Sequence, residues 1–410
     1  MKEQTSYPKE KINILFLENI SDKAVERFKS AGYTNVKKLT GALNEEELAK
    51  AIKDVHLIGI RSKTKITAKV LKAATKLQAI GCFCIGTNQV DLDAAKNAGV
   101  AVFNAPYSNT RSVAELVIAT SILLIRKILD KNKAAHDGIW LKDSKESYEL
   151  RGKTMGIIGY GNIGTQLSIL SEALGMRVLF YDVATKLPLG NAASTKSMKE
   201  LVSKSDIISL HVPETPDTKE IVNEKLLKSF KDGSILINYA RGHCVDIEAL
   251  VKHLQSGHLS GAAIDVFPVE PKKIGDAFET PLRGLSNVLL TPHIGGSTEE
   301  AQANIGDDVS KKLFDYLENG VTNQCITVPS IVLQAHPNAH RILHIHENKP
   351  GVLSEINTLL SKNKINVLGQ YLSTNDTIGY VVLDLDKKLS GKAVELLKDV
   401  KGTIKVRTVY

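Results

Sequence analysis

Cysteine and aromatic residues are scarce: four cysteines, one tryptophan and 5% aromatics in 410 residues. Cys82, Cys84, Cys244 and Cys325 follow no disulfide-framework or zinc-site spacing, and Cys82 and Cys84 lie in the apolar run LQAIGCFCIG, so buried free thiols are expected. Long hydrophobic runs are missing as well. The longest, Leu116–Ile125, is about half of the ~20 residues that cross a bilayer, and the start MKEQTSYPKE lacks the apolar centre of a signal peptide. These absences predict a soluble, cytoplasmic protein with no membrane partner. The net charge of +8 raises nucleic acid as a partner, but the lysines are scattered and not interleaved with aromatics. The excess is read as solvated surface that attracts small anions, with no nucleic acid partner.

What is present is a strand–glycine loop–helix–strand unit over Lys153–Asp182, KTMGIIGYGNIGTQLSILSEALGMRVLFYD. A strand runs through Met155, Ile157 and Ile158, and glycines follow at Gly159, Gly161 and Gly164. The next helix carries Ile163, Leu167, Leu170 and Leu174 at one-face spacing, and a second strand, Arg177–Tyr181, ends at Asp182. Each glycine answers a need of a dinucleotide: the tight turn, backbone approach to a pyrophosphate, and close helix–strand packing. The N–H groups at the helix start bind the anion, and Asp182 accepts from ribose hydroxyls. An acid at that position, where a 2′-phosphate would be repelled, selects NAD.

Residues 12–106 alternate strands (INILFLEN, HLIGIRS, LQAIGCFCIG, VAVFNAP) with helices, one near Asp22–Ser30 and one opened by a capping-box-like Asn44–Glu47. Alternation of this kind predicts a parallel sheet covered on both faces, but this half has no glycine fingerprint. Its candidate ligand group is Arg61-Ser62-x-Thr64 past the strand ending at Ile60, where a guanidinium beside two hydroxyls suits a phosphate or carboxylate. The alternative is a surface turn with an incidental arginine. A long helix is expected over Ser112–Leu129, followed by an irregular approach to Arg151 in which Trp140 reads as a packing aromatic and Lys142 as a solvated cation.

Beyond Asp182 four more strand-like runs follow, and each presents a notable residue at or past its carboxyl end: Pro213, Arg241, Asp265 with Glu270, and His293. Oxidation of a 2-hydroxy acid needs a base titrating near neutrality and a fixed cation for the carboxylate. His293 supplies the first and Arg241 the second, while Glu270 orients the imidazole and raises its pKa. Taken singly, each has a plainer reading, as a satisfied core histidine, a helix-start arginine or a solvated loop acid.

The segments GIIGYGNIGTQLSIL, ILINYARGHCVD, AAIDVFPVEP and NVLLTPHIGGST, in this order and spacing, resemble the D-isomer-specific 2-hydroxyacid dehydrogenases, and the match covers nearly the whole chain. The resemblance implies two Rossmann-like α/β domains, a discontinuous substrate-binding domain (1–108 and 297–328) and an NAD-binding domain (109–296), with the helix Glu299–Tyr316 packing beside residues 12–106. It places the catalytic arginine, glutamate and histidine on Arg241, Glu270 and His293. Contacts to NAD fall on Gly159, Gly161, Asn162, Ile163, Gly164, Asp182, His211, Pro213, Ala240, Arg241, Asp265, His293, Gly295 and Gly296. Substrate contacts fall on Arg61, Ser62, Asn109, Arg241 and His293. Arg61 and Ser62 match the members acting on phosphorylated substrates, which implies 3-phospho-D-glycerate, with 2-oxoglutarate as a side substrate. Glyoxylate, hydroxypyruvate or 2-oxoglutarate as main substrate, or an NAD-sensing binding protein on the same scaffold, are the competing readings.

Past a linker-like stretch at 329–340 the pattern restarts over 341–410 as βαββαβ, the ferredoxin-like order. This part resembles the ACT regulatory domain, with HIHENKPG its strand-to-loop stretch. The resemblance implies L-serine as effector at His346, Asn348 and Asn366, bound between domains of different subunits in a homotetramer. His336, His340, His344 and His346 raise a metal site, but no Cys or acid completes a usual ligand set, so no metal is expected. The linker lacks the glycines that relatives often carry as a hinge.

Overall fold

The structure, a computed structural model, describes residues 8–271, 275–334 and 339–409. Linker residues 335–338, His336 included, lie outside that set. The chain divides into two compact units, one holding residues up to Ser108 with those from Ala303 onward, the other Asn109–Gln302.

The first unit opens with β1 (Ile14–Phe16), α1 (Asp22–Ser30), β2 (Val36–Lys38), α2 (Glu45–Ala51), β3 (Leu57–Ile60), α3 (Ala68–Ala73), β4 (Ala79–Cys82), α4 (Leu92–Asn97) and β5 (Ala101–Asn104). The strands pair in parallel in the order β2-β1-β3-β4-β5. Both faces of the sheet are covered, so the strands need no polar alternation: every residue of β3 and β4 is buried. The unexpected member is β2, a lysine-bearing edge strand with no fully buried residue, whose composition suits an edge and hides it from a hydrophobic pattern.

The second unit begins with two helices, α5 (Thr110–Ile125) and α6 (Ile128–His136), where one was expected. Lys127 between them takes a left-handed φ of 51°, which breaks the helix. Trp140 does not pack; it is 86% exposed. The sheet follows: β6 (Thr154–Ile158), α7 (Asn162–Ala173), β7 (Arg177–Tyr181), β8 (Ala193–Ser194), α8 (Met198–Lys204), β9 (Ile207–Leu210), α9 (Glu224–Leu227), β10 (Ser234–Asn238), α10 (Ile247–Gln255), β11 (Leu259–Ile264) and β12 (Val288–Leu290). Its seven strands are parallel in the order β12-β11-β10-β9-β6-β7-β8, a doubly wound arrangement that reverses between β6 and β9. Leu167 of α7 is buried and Ile163 and Leu170 are partly so, whereas Leu174 caps the helix and is exposed.

Next comes α11 (Glu299–Asn319), which carries Ile305, Val309 and Leu313 at four-residue spacing into a core with Phe16, Phe83 and Phe103. The approach is close enough that a Cβ on Gly81 of β4 would stand 2.5 Å from Leu313. The terminal module is β13 (Ala339–Glu347), α12 (Val352–Lys362), β14 (Val367–Thr374), β15 (Ile378–Asp386), α13 (Ser390–Lys398) and β16 (Thr403–Val409), an antiparallel sheet ordered β14-β15-β13-β16.

One face of this sheet packs on its own helices through Ile342, Val381 and Leu383 against Ile356, Leu360 and Leu397. The other face, through Leu343, Ile345, Tyr380 and Val382, joins the core of α11. Polar groups complete that joint. Arg341 and Asp384 form a buried pair at 2.7 and 2.8 Å, the Arg341 guanidinium also donates to the Asn319 and Gln334 carbonyls, and Tyr380 Oη donates to the Gly320 carbonyl at 2.6 Å. Arg407 reaches the Tyr316 and Leu317 carbonyls. Carbonyls of Leu317, Asn319 and Gly320 at the end of α11, which a helix cannot satisfy internally, thus find donors on the sheet, while that of Tyr316, already bonded to the Gly320 N–H, gains a second. Leu313→Ala, which removes a fully buried side chain from this core, should destabilise the first unit by about 2–5 kcal/mol in urea unfolding. A change below about 0.5 kcal/mol would contradict the packing described.

Candidate active site

The second sheet reverses between β6 and β9, where an open α/β sheet leaves a crevice beyond its strand ends. Gly159 turns the chain out of β6 with φ +93°, and a Cβ there would stand 2.4 Å from the His211 carbonyl oxygen. At Gly164 a Cβ would lie 2.3 Å from the Gly159 oxygen, so α7 can press onto the turn only without a side chain. At Gly161, the residue before α7, a Cβ would meet nothing within 4 Å. That space lies beside Asn162 and Ile163 in the first turn of α7, where N–H groups and the helix dipole favour an anion. Asp182 follows β7, and its carboxylate accepts from the Tyr160 N–H (2.8 Å) and the Ala184 N–H (2.9 Å). The glycine turn and the acid are therefore tied to each other. His211 and Pro213 follow β9; burial lowers the His211 imidazole to about 3, its Nε2 meets Ser209 Oγ at 2.9 Å, and its Nδ1 has no partner. The open space at Gly161, the helix start and the acid at the β7 end fit a dinucleotide.

Past β10, Asn238 fixes the next turn by accepting from the Ala240 N–H and donating to the Arg241 carbonyl. Arg241 donates to the Ala240 carbonyl at 2.7 Å and lies 3.9 Å from the Glu214 carboxylate. Past β11, Asp265 is buried and fully engaged. Its Oδ1 accepts from Thr291 Oγ1 (2.6 Å) and the Ile294 N–H (2.8 Å), and its Oδ2 from the Gly295 N–H (2.8 Å). His293 sits inside that loop with a left-handed φ of 55°, and its N–H donates to the Asp265 carbonyl at 2.8 Å. Its ring Nδ1 lies 2.8 and 3.1 Å from the two Glu270 oxygens, and Glu270 also accepts from the Phe267 N–H.

The hydrogen bond that His293 donates to Glu270 is the main reason that the His293 imidazole is held above its ordinary value; Glu270's charge adds to it, while burial and Arg241 oppose it. Burial pushes the Glu270 carboxyl up, but the His293 hydrogen bond and charge outweigh it and leave the group below its ordinary value. Gly296 has no room for a side chain, since a Cβ would stand 2.4 Å from Asn109 Nδ2, and the buried Oδ1 of Asn109 has no partner. Arg241, Glu270 and His293 therefore stand on successive loops of one sheet edge. Asn238, Thr291 and Glu214 of this site escaped the sequence reading. Thr291 could have been found, as the hydroxyl beside His293 in LLTPHIGG; Glu214, in a loop, carried no signal.

In the first unit, Arg61 and Ser62 follow β3, Ser62 on the surface. Thr64, expected as a second hydroxyl of that group, is fully buried with no hydrogen-bond partner for its side chain, which leaves one hydroxyl there. In the terminal module Asn348 and Asn366 are exposed, and Asn348 donates to the Asn375 carbonyl at 2.7 Å. His346 is buried, its Nδ1 3.3 Å from that of His344. Among the described residues no group of three or more His, Cys, Asp or Glu side chains could hold a metal ion, and no helix is long and apolar enough to cross a membrane.

Comparison with known proteins agrees with this geometry. Residues 118–295 match the family model of the D-isomer specific 2-hydroxyacid dehydrogenase NAD binding domain, and residues 342–405 match an AHAS small subunit-like ACT domain. The solved D-lactate dehydrogenase of Aquifex aeolicus, complexed with NAD and lactic acid, superposes with a TM-score of 0.69 at 29% identity, over 78% of this chain and all of that one. The chain is 51% identical to D-3-phosphoglycerate dehydrogenase of Haemophilus influenzae over the full length of both, and 52% identical to that of Escherichia coli K12 over 99% of this chain and all of the relative. The chain belongs to the D-isomer-specific 2-hydroxyacid dehydrogenases, NAD-dependent oxidoreductases, in the branch of the D-3-phosphoglycerate dehydrogenases with a terminal ACT domain. Asp182→Ala, which loses both the candidate ribose acceptor and the tie to the glycine turn, should weaken NADH binding about tenfold or more in a fluorescence titration. Unchanged affinity would remove Asp182 from the cofactor site.

Proposed function

We propose that this enzyme oxidises 3-phospho-D-glycerate to 3-phosphohydroxypyruvate with NAD, the first step of L-serine synthesis, and that L-serine inhibits it through the ACT domain. The observation that carries the chemistry is the 2.8 Å contact between His293 Nδ1 and Glu270. It fixes the tautomer with the proton on Nδ1 and leaves Nε2 free to act on substrate. Bound NAD supplies the hydride acceptor. Neutral His293 takes the hydroxyl proton through Nε2 as C2 gives up its hydride, and Glu270 stabilises the imidazolium formed. Arg241 holds the carboxylate and carbonyl. For the phosphate, the candidates are Arg61 and Ser62 at the β3 end. A distal carboxylate could take the place of that phosphate, which makes 2-oxoglutarate a side substrate.

In the reverse direction His293 must donate a proton, so reduction fails as pH rises through its raised pKa. Glu270→Gln removes the group that raises it. The alkaline limb of the reduction profile should therefore move to lower pH. An unshifted limb would exclude Glu270 as the partner that tunes His293.

The serine site rests on the exposed amides of Asn348 and Asn366. Assembly rests on β14, an edge strand with exposed Leu368, Tyr371 and Leu372 nearby, suited to pairing with a second copy in a homotetramer. The deciding assay is NADH oxidation with 3-phosphohydroxypyruvate, with and without L-serine, and with 2-oxoglutarate in parallel. Turnover suppressed by serine is expected. Turnover indifferent to serine would leave the enzyme and discard the effector, and no turnover on the phosphorylated substrate would discard the reaction.

A further inference from the structure

The first sheet, ordered β2-β1-β3-β4-β5, has its own reversal between β1 and β3. Beyond the carboxyl ends of those two strands an open α/β sheet offers a ligand position. Here a side chain occupies it. Glu18 follows β1, is 8% exposed, and adopts a left-handed φ of 58°, with Asn19 at 53°. Its Oε1 accepts from the N–H groups of Arg61 (3.1 Å) and Thr64 (2.9 Å), and its Oε2 from that of Lys63 (3.0 Å). Backbone N–H groups that converge in a turn form an anion-binding concavity. The anion held in this one belongs to the chain itself. From the other side, Gln89 Nε2 donates to the Arg61 carbonyl at 2.9 Å.

We infer that Glu18 is a positioning residue for the substrate phosphate. By filling the concavity it denies the phosphate the backbone N–H groups and fixes the turn that carries the Arg61 guanidinium and the Ser62 hydroxyl. The inference rests on the reading of Arg61 and Ser62 as phosphate ligands. A buried carboxylate and two successive left-handed non-glycine residues are costly features for a plain surface turn. A turn that must hold its geometry while a doubly charged group binds and leaves gives them a reason.

Glu18→Gln places an NH2 group against a backbone N–H while preserving shape. Its KM for 3-phosphohydroxypyruvate should rise about tenfold, with kcat within about twofold and NADH affinity unchanged. Glu18→Asp, which keeps the charge on a shorter arm, should give an intermediate KM; if Glu18→Gln does not fold, this variant is the one read. An unchanged KM, or a loss of kcat and thermal stability with KM intact, overturns the inference and leaves Glu18 a purely structural anchor. Arg61→Ala is measured in parallel. If it raises KM while both Glu18 variants do not, the inference falls and the phosphate reading stands. If Arg61→Ala also leaves KM unchanged, both fall.

Discussion

Carboxylates that gather backbone N–H groups past the ends of parallel strands hold this enzyme's loops in place. Glu18 does so after β1, Asp182 after β7 and Asp265 after β11, and each ties its own strand end to a loop distant in sequence. Parallel strands bring all their carboxyl ends to one edge, where the chain has no ladder left to satisfy its N–H groups. An ionised acceptor meets several of these at once, with bonds roughly twice as strong as neutral ones. Asp265 is the most consequential case. Without its two oxygens and its carbonyl, the loop that sets His293 in a left-handed conformation would have two backbone donors and a hydroxyl without acceptors, and the His293 N–H would keep only the Thr291 carbonyl.

The balance around His293 follows from charge and access together. Glu270 raises the imidazole's proton affinity while burial and Arg241 lower it, so opposing effects leave a group that can both take and return a proton. Arg241 itself stands 3.9 Å from the Glu214 carboxylate, so its charge is opposed by a second acid.

The sequence was most informative where structure is local. β7 ends at Tyr181 and α1 runs Asp22–Ser30 as the residue pattern indicates, and both hydrogen bonds of the Asn44–Glu47 capping box form. Residue types at strand ends singled out Arg241, Glu270 and His293 as candidates, and the fold brings them to one sheet edge with His293 bonded to Glu270. What stayed hidden depends on tertiary context. Ser62 and Thr64 are near neighbours with like side chains, yet one is exposed and the other fully buried. Glu18 reads as an ordinary loop acid because its partners lie 43 to 46 residues away. The break at Lys127 and the bare indole of Trp140 likewise have no signature in apolar periodicity.

The joint between α11 and the terminal sheet bears on how such enzymes can exchange their terminal domain. Arg341, Tyr380 and Arg407 supply donors to the end of α11, and Leu343 and Ile345 share its core. A chain cut before β13 would leave the Asn319 and Gly320 carbonyls without those donors and that apolar face bare. The terminal domain is thus fitted to this helix like a keyed part: any domain exchanged for it must bring the buried face and the three donor residues with it.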